Sequence, residues 1–194
     1  MIRKWAERIV FIQVYRGILE EDKKVTYVFG YQLLIGKIIS SILMILIAGI
    51  MGTFWEMLLF MAAFIPLRQY AGGFHFAKAE VCITFSALVS VIIAIGFKEV
   101  FYTMPLYVWI GVVIVSGIFI WKLGPADTKN KRLDDIEKKV YACRTKIVLA
   151  VELLIFVISV CLQIQMVNIV IPITQFVILV GIITVVIQKF LKNS

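Results

Sequence analysis

The 194-residue chain has one histidine, three cysteines, four prolines and only 16% charged residues. Each shortage excludes something. One histidine with one cysteine near it falls short of the three or four ligands that zinc takes, so no metal site and no cofactor is expected. Three cysteines, in a chain whose thiols face a reducing cytoplasm by the orientation argued below, make no disulfide framework. With 62% hydrophobic residues and a mean hydropathy of +1.00, the chain is too apolar for a soluble domain. Internal repeats, low-complexity tracts and any sign of a second domain are also missing, so residues 1–194 read as one membrane-embedded domain. No short apolar stretch with a small-residue cleavage site follows the start, which argues against a signal peptide.

What the chain has instead is long apolar runs, at Tyr31–Ile50, Met51–Leu67, Val81–Phe97, Leu106–Trp121, Ile147–Gln163 and Ile169–Ile187. Each approaches the ~17–25 residues of a spanning helix, which predicts an all-α integral membrane protein with about six transmembrane helices. The second run is the weakest. At about 1.5 Å per residue it covers roughly 25 Å of a ~30 Å hydrocarbon core, and it carries Glu56 and Pro66.

Basic residues test this reading, because Lys and Arg collect in short cytoplasmic loops. With the N-terminus inside, all 20 Lys and Arg except Lys37 and Lys98 fall in cytoplasmic segments. Both termini, the 72–80 loop and the 122–146 loop are therefore expected on the cytoplasmic side of a bacterial cell membrane. A net charge of +8 spread over such loops fits orientation and anionic lipid headgroups, and it excludes a folded nucleic-acid-binding domain.

Residues 1–29 form a cytoplasmic and interfacial segment. Ile2, Trp5, Ile9 and Ile12 recur at helical spacing opposite Arg3, Lys4, Glu7 and Arg8, which predicts an amphipathic helix lying at the interface. In the 122–146 loop, Gly124, Pro125 and Asn130 keep the start out of helix. Asp134 with Glu137 three residues on has the form of a capping box, so a helix is expected to begin there and run into the fifth apolar stretch.

The residues with chemistry sit between the second and third runs: Arg68, Gly72, Gly73, His75 and Cys82. A thiol is a useful nucleophile only as the thiolate, and a neighbouring imidazole is the commonest way to hold it in that form near neutral pH. On one straight helix His75 and Cys82 would share a face but stand about 10.5 Å apart, out of hydrogen-bond reach. A dyad needs a bend, and the glycine pair supplies one. A helix N-terminus at Cys82 would favour a thiolate. Read singly, a membrane cysteine is a packing residue, a loop histidine is a solvated one and a glycine pair is a turn; their joint occurrence beside Arg68 weighs towards an active site.

Cys143 and Cys161 read as structural thiols. Glu152 lies inside a span and must be paired or face a polar cavity, and Lys37 lies at similar depth. Two arrangements satisfy them: a Lys37–Glu152 pair between the first and fifth spans, or Lys37 snorkelling to the headgroups while Glu152 faces a wet cavity.

The Arg68…Gly72-Gly73-x-His75…Cys82 string, the Pro125-Ala126-Asp127-Thr128-Lys129-Asn130-Lys131 stretch, the length and the span pattern together resemble the accessory gene regulator B (AgrB) family, across the whole chain. Phe76 and Arg132-Leu133 depart from the family pattern outside the dyad. The resemblance implies a membrane cysteine endopeptidase of quorum sensing with Cys82 as nucleophile and His75 as base. Arg68 and Gly73 are implied as further residues needed for activity, with Gly72 as loop support. It implies as partner a small amphipathic precursor peptide with an acidic C-terminal tail (AgrD-like), whose tail is removed and whose remainder is closed into a thiolactone or lactone. The lipid bilayer is the other partner, and a homodimer is left open. A peptide exporter or channel is the alternative, with Lys37, Glu56 and Glu152 lining a path.

Overall fold

A computed structural model of the chain describes residues 2–73, 79–126 and 134–193, the side chains of residues 79, 192 and 193 excepted. His75 and Asp127–Arg132 lie outside the described residues. The described elements are seven α-helices and two one-turn 3₁₀ helices. In order the α-helices are α1 (Ile2–Tyr15), α2 (Lys24–Met51), α3 (Phe54–Ala71), α4 (Ala79–Glu99), α5 (Leu106–Leu123), α6 (Asp135–Cys161) and α7 (Gln165–Asn193).

The bundle is organised around α7. Its residues from Asn168 to Gln175 are buried on every side, as expected of a helix with neighbours all round, and α3, α5 and α6 pack against it. One apolar cluster joins Phe60 and Met57 of α3, Phe97 of α4, Trp109 of α5 and Ile173 of α7. A second joins Leu67 and Ala71 of α3 to Ile120, Leu149 and Ile178. The second cluster matters for function because it anchors the end of α3 from which the Gly72-Gly73 loop departs.

On the far side of the bundle α2 and α4 pack together while directing Leu33, Ile42, Ile50, Leu88 and Ile92 outward. Such faces would be costly in water and are at home in lipid. Four helices are long and apolar enough to cross a membrane, Glu21–Met51, Glu80–Glu99, Leu106–Leu123 and Gln165–Leu191. Four of the six expected spans meet this measure. Helices do occupy the other two expected runs, but α3 carries Glu56 and Arg68, and α6 carries Arg144, Lys146 and Glu152. Glu56 has a partner in the Tyr102 hydroxyl, which donates to its Oε1 over 3.0 Å.

Helix α6 begins as expected. The Asp134 side chain accepts from the backbone amide at Glu137, and the Glu137 carboxylate accepts from the Asp134 amide at 3.2 Å, which satisfies two orphan donors reciprocally. Helix α1 also forms, but the stripe it buries against α2 is Ile2, Ala6 and Val10. Trp5, Ile9 and Ile12 of the expected apolar face stay exposed. The small Ala6 lets the two helices approach, and the bulky residues are left for another medium.

Candidate active site

Helix α3 ends because Gly72 turns the chain with φ 73° and ψ −152°, and Gly73 follows at φ 126°. Residues with a side chain rarely adopt either angle. Space gives a second reason. A Cβ on Gly72 would stand 2.5 Å from the Ala126 carbonyl oxygen, and a Cβ on Gly73 would overlap the Arg68 guanidinium. Arg68 reaches that position from one helical turn earlier and donates from Nη1 to the Gly72 carbonyl. The glycine pair is thus wrapped around the arginine, and the arginine braces the turn from inside.

The segment after α5 closes the other side. The Ala126 amide donates to the Ala71 carbonyl over 2.9 Å, forming a lone parallel bridge between Gly72 and Ala126. Helix α6 adds an aromatic and cationic layer. The Tyr141 ring meets Tyr70 edge-on with centroids 5.9 Å apart, and the Arg144 guanidinium lies 5.4 Å from the Tyr70 centroid. Lys146 lies similarly over Trp121, at 4.9 Å. Separation in sequence hid these contacts; only the shared polarity of the two loops hinted that they meet.

Cys82 lies in the first turn of α4 and is partly buried. Burial lowers the Arg68 guanidinium from its ordinary pKa, and the charge of Cys82 acts in the opposite direction. Arg68 and Cys82 are therefore close enough for their charges to interact, although 13 positions separate them. Glu80, in the same first turn, is exposed. Cys143 and Cys161 are exposed on α6. No group of three or more metal-binding side chains occurs among the described residues.

Lys37 and Glu152 are not brought together. Lys37 is exposed on α2, no ion pair joins the two, and Glu152 is only 4% exposed. Gln175 of α7 donates from Nε2 to Glu152 Oε2 over 3.1 Å, and Ser116 of α5 lies 3.3 Å from Gln175 Oε1. The other carboxylate oxygen of Glu152 has no protein partner. Glu152 lines a cavity of about 350 Å³ with Pro66, Val148 and Val170 among its walls. The polar partner is a neutral amide on the central helix, which pairing by opposite charge does not indicate.

Residues 4–191 match the family model described as Accessory gene regulator B. Two AgrB-like proteins of Clostridium perfringens are similar to this chain, one from strain SM101 with 34% identity over 125 residues and one from strain 13 with 33% over 125 residues. Each matched stretch covers 62% of this chain and 58% of the relative, so the shared part is less than two thirds of those relatives. No solved structure matches.

Proposed function

From the premise that this chain belongs to the accessory gene regulator B family, we propose that it is a membrane cysteine endopeptidase that processes a small quorum-sensing precursor peptide. The observation that carries the reading is the Arg68 guanidinium braced by the Gly72-Gly73 turn within electrostatic reach of Cys82. A fixed cation within reach of the reacting carbonyl stabilises the oxyanion that forms on attack.

In the proposed reaction His75 takes the proton from Cys82, and Sγ attacks the carbonyl carbon of the scissile peptide bond. The C–N bond breaks, the proton passes to the leaving amine, and the acidic tail departs. The remainder is held as a thioester on Cys82. A thiol or hydroxyl within the precursor then attacks that carbonyl, the Cys82 thiol leaves, and the ring closes as a thiolactone or lactone. Thioester exchange is nearly isoenergetic, so the step to a thiolactone needs no ATP but does need water kept out. The packed end of α3 and the Ala126 segment bridged to Gly72 support such shielding.

In this reading α3 and α6 complete a six-span arrangement, with termini and active site facing the cytoplasm. The basic residues of α6 near Tyr70 and Trp121 lie on the same side as the loop and suit an acidic tail.

Reconstitution of the purified protein in liposomes with the small peptide encoded beside it tests the proposal. Release of a tail fragment by the parent protein, and none by Cys82→Ala, is the expected outcome. Movement of intact peptide across the bilayer without cleavage would replace the proposal by the exporter reading.

A further inference from the structure

Helices α1 and α2 enclose an open cleft of about 850 Å³ that the proposed chemistry does not use. Its rim is basic, with Lys4 and Arg8 one turn apart on α1 and Lys24 in the first turn of α2. Glu7, also in the lining, is engaged by Arg3 at 2.9 Å. Neither Lys4 nor Arg8 has a carboxylate partner among the described residues, and Lys24 lies over the Phe11 ring at 5.9 Å. Apolar side chains, Phe11, Val25 and Val28 among them, line the rest of the cleft.

We propose that this cleft binds one anionic phospholipid, its phosphate held among Lys4, Arg8 and Lys24 and its acyl chains laid over Phe11, Val25 and Val28. Charge complementarity sets the sign of the head. The apolar lining sets the rest, since a free anion would leave those side chains in water. The surroundings point the same way: Trp5 and Ile12 are 60% and 51% exposed beside the cleft, an apolar surface that an interfacial helix buries among headgroups and upper acyl chains. From Val28 the same face of α2 continues through Ile35, Ile39, Ile42 and Leu46, of which Ile42 and Leu46 are exposed, a track for the acyl tails. An acidic peptide would satisfy the cations and leave this continuous apolar surface uncovered.

The test uses the full-length protein in nanodiscs containing phosphatidylcholine alone or with phosphatidylglycerol, followed by transfer to mild detergent and native mass spectrometry. The parent protein is expected to retain one phosphatidylglycerol per protomer in preference to phosphatidylcholine. Near a membrane surface each basic residue contributes roughly a fivefold factor, so Lys4→Gln/Arg8→Gln/Lys24→Gln should bind on the order of a hundredfold more weakly. Lys4→Arg/Arg8→Lys/Lys24→Arg keeps the charge and should keep the lipid, which separates loss of binding from loss of insertion. Val28→Trp fills the apolar part of the cleft without touching a charge and should also release it. Equal retention of both lipids, or undiminished phosphatidylglycerol in the Gln and Trp variants, would overturn the proposal. So would displacement of the lipid by an acidic peptide that binds the cleft equally well without a bilayer.

Discussion

The Arg68 guanidinium occupies the place where a side chain on Gly73 would begin, and its Nη1 holds the carbonyl of the glycine before it. An arginine that braces the turn and also lies within electrostatic reach of Cys82 links the shape of the loop to that thiol.

Gly73→Ala should therefore fail in two ways, by backbone strain of about 1–3 kcal/mol at a positive φ and by eviction of Arg68. Cleavage is expected to fall at least about tenfold. Combined with Arg68→Ala the loss should be less than the product of the single losses, because both changes remove the same contact. Single-turnover cleavage rates of the four proteins decide this, and a multiplicative result would separate the two residues.

Arg68→Lys keeps the charge and loses the planar fork. If Arg68 guides the acidic tail, KM for the precursor should rise more than kcat falls. A fall in kcat alone would assign the guanidinium to the transition state at Cys82.

His75→Gln should slow acylation by ~10²–10⁴-fold at pH 7, with partial recovery above about pH 8.5, where a free thiol ionises unaided. Cys143→Ala and Cys161→Ala, whose thiols stand on the outer surface of α6, should keep most activity. A pH–rate profile for the histidine variant that overlays the parent would remove His75 as base.

Glu152 and Gln175 should be coupled where Lys37 and Glu152 are not. Gln175→Leu strands a buried carboxyl and lowers thermal stability in detergent, and adding Glu152→Leu should restore part of the loss. A coupling of ~0.6–1.7 kcal/mol is typical of such intramembrane bonds. Lys37→Met, on an exposed site, should change stability by no more than about 0.5 kcal/mol. A cycle with Lys37 coupled to Glu152 and Gln175 silent would reverse this assignment.

The Tyr102 hydroxyl, buried in part and donating to Glu56, has its pKa pushed up from 10 to about 12. The folded state holds this proton more tightly than the unfolded one, so the associated stability is whole below pH 10 and is lost as pH rises from 10 to 12. Solvent around the exposed ring reduces the size of the effect. Alkaline melting curves should flatten in Tyr102→Phe, and an unchanged slope would show that the bond carries no linkage.

The apolar runs, the start of α6 at Asp134-Glu137 and the glycine bend before Cys82 were legible in the sequence, because hydrophobic length, capping and positive φ are local properties of a few adjacent residues. The amphipathic start was legible as a helix but not by its buried face, since which stripe docks depends on the partner helix α2. Charge on α3 and α6 was visible too, but whether they count as spans depends on neighbours that can cover Arg68 and Glu152. Tertiary structure alone decided that Ala126 meets Gly72 and that Arg68 fills the space Gly73 leaves. It also decided that Glu152 takes Gln175 in place of Lys37. Each is a contact between helices whose relative rotation no single-segment pattern records, and a search for opposite charges overlooks a neutral amide even where burial makes it the available donor.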